Sequence, residues 1–401
     1  MQKKIMLLGG IRYLLPVIKT AHEQGYYVIT ADYLPNNIAH KYSDEYVNVS
    51  IIDKEAVLKV AQEKRIDGIM SFGVDPGVVS AAYVAEKMGL PFQCSYESAS
   101  ILQDKARFRT FLAENAFNCP KAKGYNDIEE AVKDADGFTW PVIVKPVDSA
   151  GSKGVTKVTD KKELRQAIAT ALGSSIGKRF IIEEFLDVVG CQSSADVFAV
   201  EGRLAFPAYS DQLFDLQAPN PYTPAVEIWP SSMPISVQED LNRQLQHLFT
   251  LLGVKNGIFN VESRLCSNGK AYLMEVSPRG GGNRIAELQT LATGQDLFLA
   301  ELNQIMGKPV ANISLPVFDG VWCNYIIHSC QHGILKSIDI DEDFKRHYVR
   351  DEGYNLHPGD MVEPFTGANT SLGTLFLRTD TREEMDALLS SIHNMITIKL
   401  R

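Results

Sequence analysis

The sequence predicts a chain of mixed class, α/β at its start and α+β beyond, and three observations carry that prediction. Apolar runs alternate with helix-period segments over residues 1–103. At 140–155 a strand-like run ends in a lysine and enters a loop of glycines and serines. Farther on, two strand-like segments, 257–264 and 271–276, flank Ser267-Asn268-Gly269 and read as a hairpin. With 401 residues the chain exceeds what one hydrophobic core usually holds. Three domains are expected: an open parallel α/β domain at 1–103, a central core at 104–309, and a small α+β domain at 310–401.

Taken in order, 3–9 reads as a short buried strand. The Gly9-Gly10 turn then leads to a helix marked by Leu14, Leu15, Ile18 and Ala21. A second strand at 26–32, a helix at 55–64, a third strand at 68–72 and a helix at 78–88 complete an alternating pattern, which implies a parallel sheet. The first turn, Gly9-Gly10-Ile11-Arg12-Tyr13-Leu14, lacks the later glycines of a dinucleotide-binding G-x-G-x-x-G. This domain is therefore expected to be structural, with the strand ends at Gly9, Gly10 and Asp75 facing a substrate. A helix carrying Asp104, Lys105 and 108–114 follows, then strands and one helix (161–172) within 141–197. Leu241, Leu245, Leu248 and Leu252 mark an amphipathic helix over 239–253, stopped by Gly253. One helix is expected over 284–304, and strands near 321–328 and 372–378.

Lys and Arg total 40 against 49 Asp and Glu, a net charge of 40 − 49 = −9, which argues against a general nucleic-acid binder. No run approaches the roughly 18 apolar residues of a membrane span. Six scattered cysteines read as reduced thiols, and the expectation is a cytoplasmic protein without membrane or nucleic-acid partners. His328 and His332, with Cys323 and Cys330, lack the paired spacing of a zinc site.

Three segments carry chemistry. In the first, Lys145 ends a buried strand and the loop Asp148-Ser149-Ala150-Gly151-Ser152-Lys153-Gly154 follows. Small residues let backbone N–H groups approach an anion and a lysine adds a point charge, so the pairing points to phosphate. In the second, Phe180-Ile181-Ile182 runs into Glu183-Glu184-Phe185-Leu186. Main-chain groups near Phe185 and Leu186 suit the edge of a purine, with apolar side chains against its face. In the third, Glu262 and Glu275 lie on the two hairpin strands, where paired carboxylates converge on a hard cation such as Mg²⁺. Arg279, just beyond, would face a negatively charged transferring group.

The order Lys105, Lys145 with its Gly/Ser loop, Glu183 to Leu186, Glu262, and Glu275-Val276-Ser277-Pro278-Arg279 resembles the ATP-grasp superfamily. The resemblance is to its carbamoyl-phosphate-synthase-like, carboxylate–amine ligase branch. It implies an ATP-grasp fold: a preceding α/β domain, a nucleotide core with a lid at about 115–187, and a C-terminal α+β domain. It also implies roles. Lys105 and Lys145 contact ATP phosphates, with Lys145 and Arg279 serving catalysis. Ser149, Gly151, Ser152, Lys153 and Gly154 close over the phosphates. Glu183, Glu184, Phe185 and Leu186 hold the adenine, and Gln192 stands where the family commonly has a ribose-binding glutamate. Glu262, Glu275 and Ser277 bind Mg²⁺ or Mn²⁺, Ser277 standing in place of an asparagine. The activity implied is a carboxylate–amine (or thiol) ligase acting through an acyl phosphate, with a small-molecule carboxylate and amine as substrates. The acceptor pocket is expected among the first domain, 209–235 and 281–290. A bicarbonate-activating enzyme and an ATP-binding regulator without turnover are the alternatives, and a homodimer is left open.

Overall fold

The computed structural model describes residues 2–149, 151, 153–310 and 312–401 of the chain. Its first sheet is parallel, in the order Glu45–Asn48, Tyr27–Asp32, Lys4–Leu8, Gly68–Ser71. Ile5, Met6, Leu7 and Leu8 are fully buried, as a strand covered on both faces requires. Helices Leu15–Glu23, Lys54–Lys64 and Asp75–Met88 pack on it. The edge strand Glu45–Asn48 escapes the sequence reading because it is half-exposed and carries no apolar alternation. The carboxyl ends of these strands, where open α/β sheets present their ligand crevice, turn toward the rest of the molecule: Gly73 N–H donates to the Gly280 carbonyl at 3.1 Å.

Helices Tyr96–Gln103 and Lys105–Glu114 follow, separated by Asp104. The Asp104 carboxylate accepts from the N–H groups of Ala106 and Arg107, both at 3.0 Å, and so caps the second helix.

Two antiparallel sheets form the core of the molecule. One is ordered Ala122–Tyr125, Phe180–Glu184, Val142–Pro146, Thr156–Val158. The other is ordered Arg203–Phe206, Ser193–Val200, Gly257–Leu265, Ala271–Ser277. Helix Ile235–Leu251 backs the second sheet through Leu241, Leu245 and Leu248, all fully buried. It begins earlier than leucine spacing implies, directly after Pro234. Along Gly257–Leu265, Phe259, Val261 and Ser263 point into this core, while Asn260, Glu262 and Arg264 alternate onto the opposite, half-buried face.

The single helix expected over 284–304 is two, Ile285–Thr293 and Leu297–Ile305. Gly294 takes a left-handed φ of 70°, and the Asp296 carboxylate caps the second helix by accepting from Leu299 N–H at 2.9 Å. The tail's larger sheet is not built from tail strands alone. Val321–Ile327 pairs on one side with Pro224–Trp229, itself joined to Asp211–Phe214, and on the other with Gly373–Thr379. A smaller sheet of Met361–Val362, Gly333–Ile340 and Ile396–Leu400 closes the chain. The mixed α/β and α+β class is as expected, and among the described residues no helix is long and apolar enough to cross a membrane.

Candidate active site

Helix Lys105–Glu114 places Lys105 and Arg109 one turn apart, on the same face. Arg109 is buried and clamps Glu183: its Nε lies 2.9 Å from Glu183 Oε2, and its Nη1 donates to the Met274 carbonyl at 2.9 Å. The other oxygen, Glu183 Oε1, takes Lys145 Nζ at 2.5 Å. Burial works against ionisation of Glu183, yet the Arg109 and Lys145 cations overcome it and hold the carboxyl at about 2. Burial, aided by the Arg109 charge, lowers Lys145 to about 8, which leaves it mostly protonated at neutral pH. The Glu183 side chain therefore differs from expectation: it supports Lys145 and is not presented to a purine.

Lys105 Nζ lies 3.1 Å from Glu275 Oε2 and donates to the Ser149 carbonyl at 3.0 Å, tying the helix to both the hairpin and the glycine loop. Glu262 and Glu275 are direct cross-strand partners. Burial and the facing Glu275 charge both raise Glu262 above the ordinary carboxylate range. Two half-buried carboxylates held against each other suit a hard divalent cation, with phosphate and water oxygens completing its shell. Among the described residues no group of three or more His, Cys, Asp and Glu side chains could hold a metal, so the hairpin supplies two carboxylates and the remaining ligands would come from elsewhere. Ser277 does not join it. Its hydroxyl is buried, accepting from Gln103 Nε2 at 2.5 Å and lying 3.1 Å from Asp75 Oδ1. In the loop, Gly154 has a φ of 73° and a Cβ there would fall 2.8 Å from the Ser174 Cβ, so only glycine fits. Gly151 and Lys153 are exposed, and Ser152 and Ala150 lie outside the described residues.

The segment after Phe180–Glu184 is partly committed. Glu184 Oε1 accepts from Thr139 N–H at 2.9 Å, and Phe185 N–H donates to the Pro141 carbonyl at 3.0 Å. Of the main-chain donors expected to read a ring edge, Leu186 N–H remains. Lys157 Nζ sits 3.6 Å from the centre of the Phe185 ring, a cation–π contact. Gln192 is drawn elsewhere: its amide donates to Gln212, whose own amide lies 3.4 Å from Glu227.

Arg279 is buried and holds Asp75 with a two-pronged pair, Nε to Oδ1 at 2.8 Å and Nη2 to Oδ2 at 2.7 Å. Asp75 opens helix Asp75–Met88, so this pair joins the first domain to the hairpin strand. Sequence reasoning placed Asp75 only as a strand end, and it missed Arg109, which the i, i+4 spacing from Lys105 could have revealed. It also missed two buried carboxyls. Asp196 accepts from Gly281 N–H at 2.8 Å and is pushed by burial to about 6; Glu227 is pushed by burial to about 8.

With this geometry in view, residues 138–287 match the ATP-grasp domain family model. The chain contains an ATP-grasp domain. That match spans the glycine loop, the Phe180–Leu186 segment, both hairpin glutamates and Arg279. Beyond the ATP-grasp domain itself, the chain is 24% identical over 341 residues to the C-terminal section of the carbamoyl phosphate synthase large chain of Aquifex aeolicus. The alignment covers 80% of this chain and 61% of that section, and 26% or less of the complete large chains that also match. An L-amino acid ligase from Bacillus licheniformis has the same ATP-grasp architecture, with a TM-score of 0.82 at 20% identity over 100% of this chain and 99% of that one. So does the biotin carboxylase domain of the Hydrogenobacter thermophilus 2-oxoglutarate carboxylase, a dimer solved with MgADP and bicarbonate. Its TM-score is 0.75 at 16% identity, over 100% of this chain and 91% of that one.

Proposed function

We propose that this chain is an ATP-dependent carboxylate–amine ligase that works through an acyl phosphate and releases ADP and phosphate. The observation that carries the reading is the convergence of Lys105, Lys145, Glu262 and Glu275 at one cleft, beside a glycine loop that Lys105 already touches. Lys145 enters charged and fixed by Glu183, so its Nζ offsets charge on the transferring phosphoryl group at little reorganisation cost. Lys105 and the loop at Ser149, Gly151, Ser152, Lys153 and Gly154 hold the remaining phosphate oxygens, while Leu186 N–H and the Phe185 ring serve the adenine. Magnesium or manganese, when bound between Glu262 and Glu275, supplies Lewis-acid neutralisation of the phosphates. The substrate carboxylate oxygen attacks the γ-phosphorus and ADP departs. The amine then attacks the acyl carbon, phosphate leaves, and the amine proton passes to solvent. Arg279, held by Asp75, lies where the acyl phosphate is stabilised. No protein nucleophile is required. The acceptor is assigned to the first domain, 209–235 and 281–290; Glu227 lies in the second of these, and Asp196 accepts from Gly281 N–H in the third.

The test is nucleotide turnover with pooled carboxylates and amines and Mg²⁺, with hydroxylamine added to trap the acyl donor. ADP release that depends on both pools supports the ligase, and AMP with pyrophosphate would overturn the acyl-phosphate route. The carbamoyl phosphate synthase relatives favour a second reading, activation of bicarbonate, which ADP release with bicarbonate alone would establish. Tight ATP binding without turnover under every condition would point to a regulator. A small-molecule ligase of this kind suits a cytoplasmic location.

A further inference from the structure

Arg264 is a half-buried cation whose Nε is enclosed by the protein without a hydrogen-bond partner. It lies on strand Gly257–Leu265, two residues beyond Glu262 and on the same cleft face. That spacing carries it about 7 Å from the carboxylate pair. The direction is toward the Phe180–Leu186 connection, because the residues around it are stitched to the following segment. Val189 N–H donates to the Leu265 carbonyl at 2.9 Å, Ser267 N–H to the Asp187 carbonyl at 2.9 Å, and Val188 bridges Cys266. Arg264 Nε is buried without a hydrogen-bond partner. Of the acidic groups near it, Glu183 is engaged by Arg109 and Lys145, while Glu262 faces Glu275 across the hairpin. A buried N–H without an acceptor costs stability unless a ligand satisfies it.

We propose that Arg264 faces the nucleobase, its planar guanidinium lying against the purine ring and its Nε donating to a ring or ribose acceptor. Stacking on aromatic faces is a property of guanidinium that an ammonium or an aliphatic side chain does not share. The phosphate end of the cleft already holds Lys105 and Lys145, while Arg264 lies at the end where the base would sit. This inference rests on the ATP-dependent reading given above.

The test compares wild type, Arg264→Ala and Arg264→Met by calorimetric titration with ATP, ADP and inorganic tripolyphosphate, each with Mg²⁺. Both variants are expected to bind ATP and ADP about 3- to 30-fold more weakly, with tripolyphosphate binding unchanged. Without nucleotide, Arg264→Met should melt at or above the wild-type temperature, since it removes a buried N–H that lacks an acceptor; it also secures the comparison if Arg264→Ala does not fold. Unchanged ATP affinity in a folded variant, or an equal loss for tripolyphosphate, would overturn the assignment. Failure of the wild type to bind ATP would overturn the nucleotide reading itself, a different result from failure at Arg264.

Discussion

Glu183 shows what one residue gains from three-dimensional context. Its position at the end of an apolar strand is plain in the sequence, but its partner Arg109 lies 74 residues away, on a helix that opens Lys-Ala-Arg-Phe-Arg with nothing local to mark which cation is buried. Replacing Glu183 with Ala would strand Arg109 and Lys145 as buried cations, and the expected cost is about 3–5 kcal/mol in urea unfolding. The sign of its pH dependence follows from a carboxyl held near 2 against an ordinary 4.5. A depressed acid contributes fully above 4.5, and that contribution fades as pH falls toward 2. The stability deficit of Glu183→Gln should therefore be largest at neutral pH and shrink below pH 4.5 in acid titrations. Ser277 makes the complementary point: a motif position suggests metal, whereas the fold turns its hydroxyl to Gln103 and Asp75.

At the level of elements, the cap on helix Lys105–Glu114 has consequences beyond its local energy. Asp104→Ala removes the acceptor for Ala106 and Arg107 N–H and should cost about 1 kcal/mol. Because that helix presents both Lys105 and Arg109, ATP affinity should fall with it, which parallel denaturation and titration would reveal. The loop after Ala271–Ser277 is under tighter control: a Cβ on Gly280 would stand 2.2–2.7 Å from the Phe72 ring. Gly280→Ala is expected to destabilise by roughly 1–3 kcal/mol, read in urea, through overpacking of that contact. Helices and hairpin strands were legible because their apolar spacing is local. The division of 284–304 was obscured because its apolar period runs on past Gly294, although a glycine followed by an Asp cap marked the break.

For the molecule as a whole, the mixed class could be read from the chain, as could the short segments that bring Lys105, Lys145, Glu262 and Glu275 near one another. The sheet that carries Pro224–Trp229 into the C-terminal strands could not, because it pairs segments far apart with no local signal. A global probe of the assembled core is Glu301, buried away from the cleft, which accepts from Gln93 Nε2 at 2.6 Å and Ile258 N–H at 2.8 Å. Burial pushes it to about 8 from an ordinary 4.5, so the stability it confers below 4.5 is lost as pH rises through 8. Glu301→Gln should match wild type in melting temperature near pH 4.5 and exceed it by about 2–4 °C at pH 8. The contact of Gly280 with Phe72 and the Arg279–Asp75 pair also bear on how such a chain can be rebuilt. The first domain is not an interchangeable cassette. A chimera that imports a foreign α/β domain must present a side chain that packs on Gly280 as Phe72 does and a carboxylate for Arg279, or it leaves a buried guanidinium without its counter-ion at the graft junction.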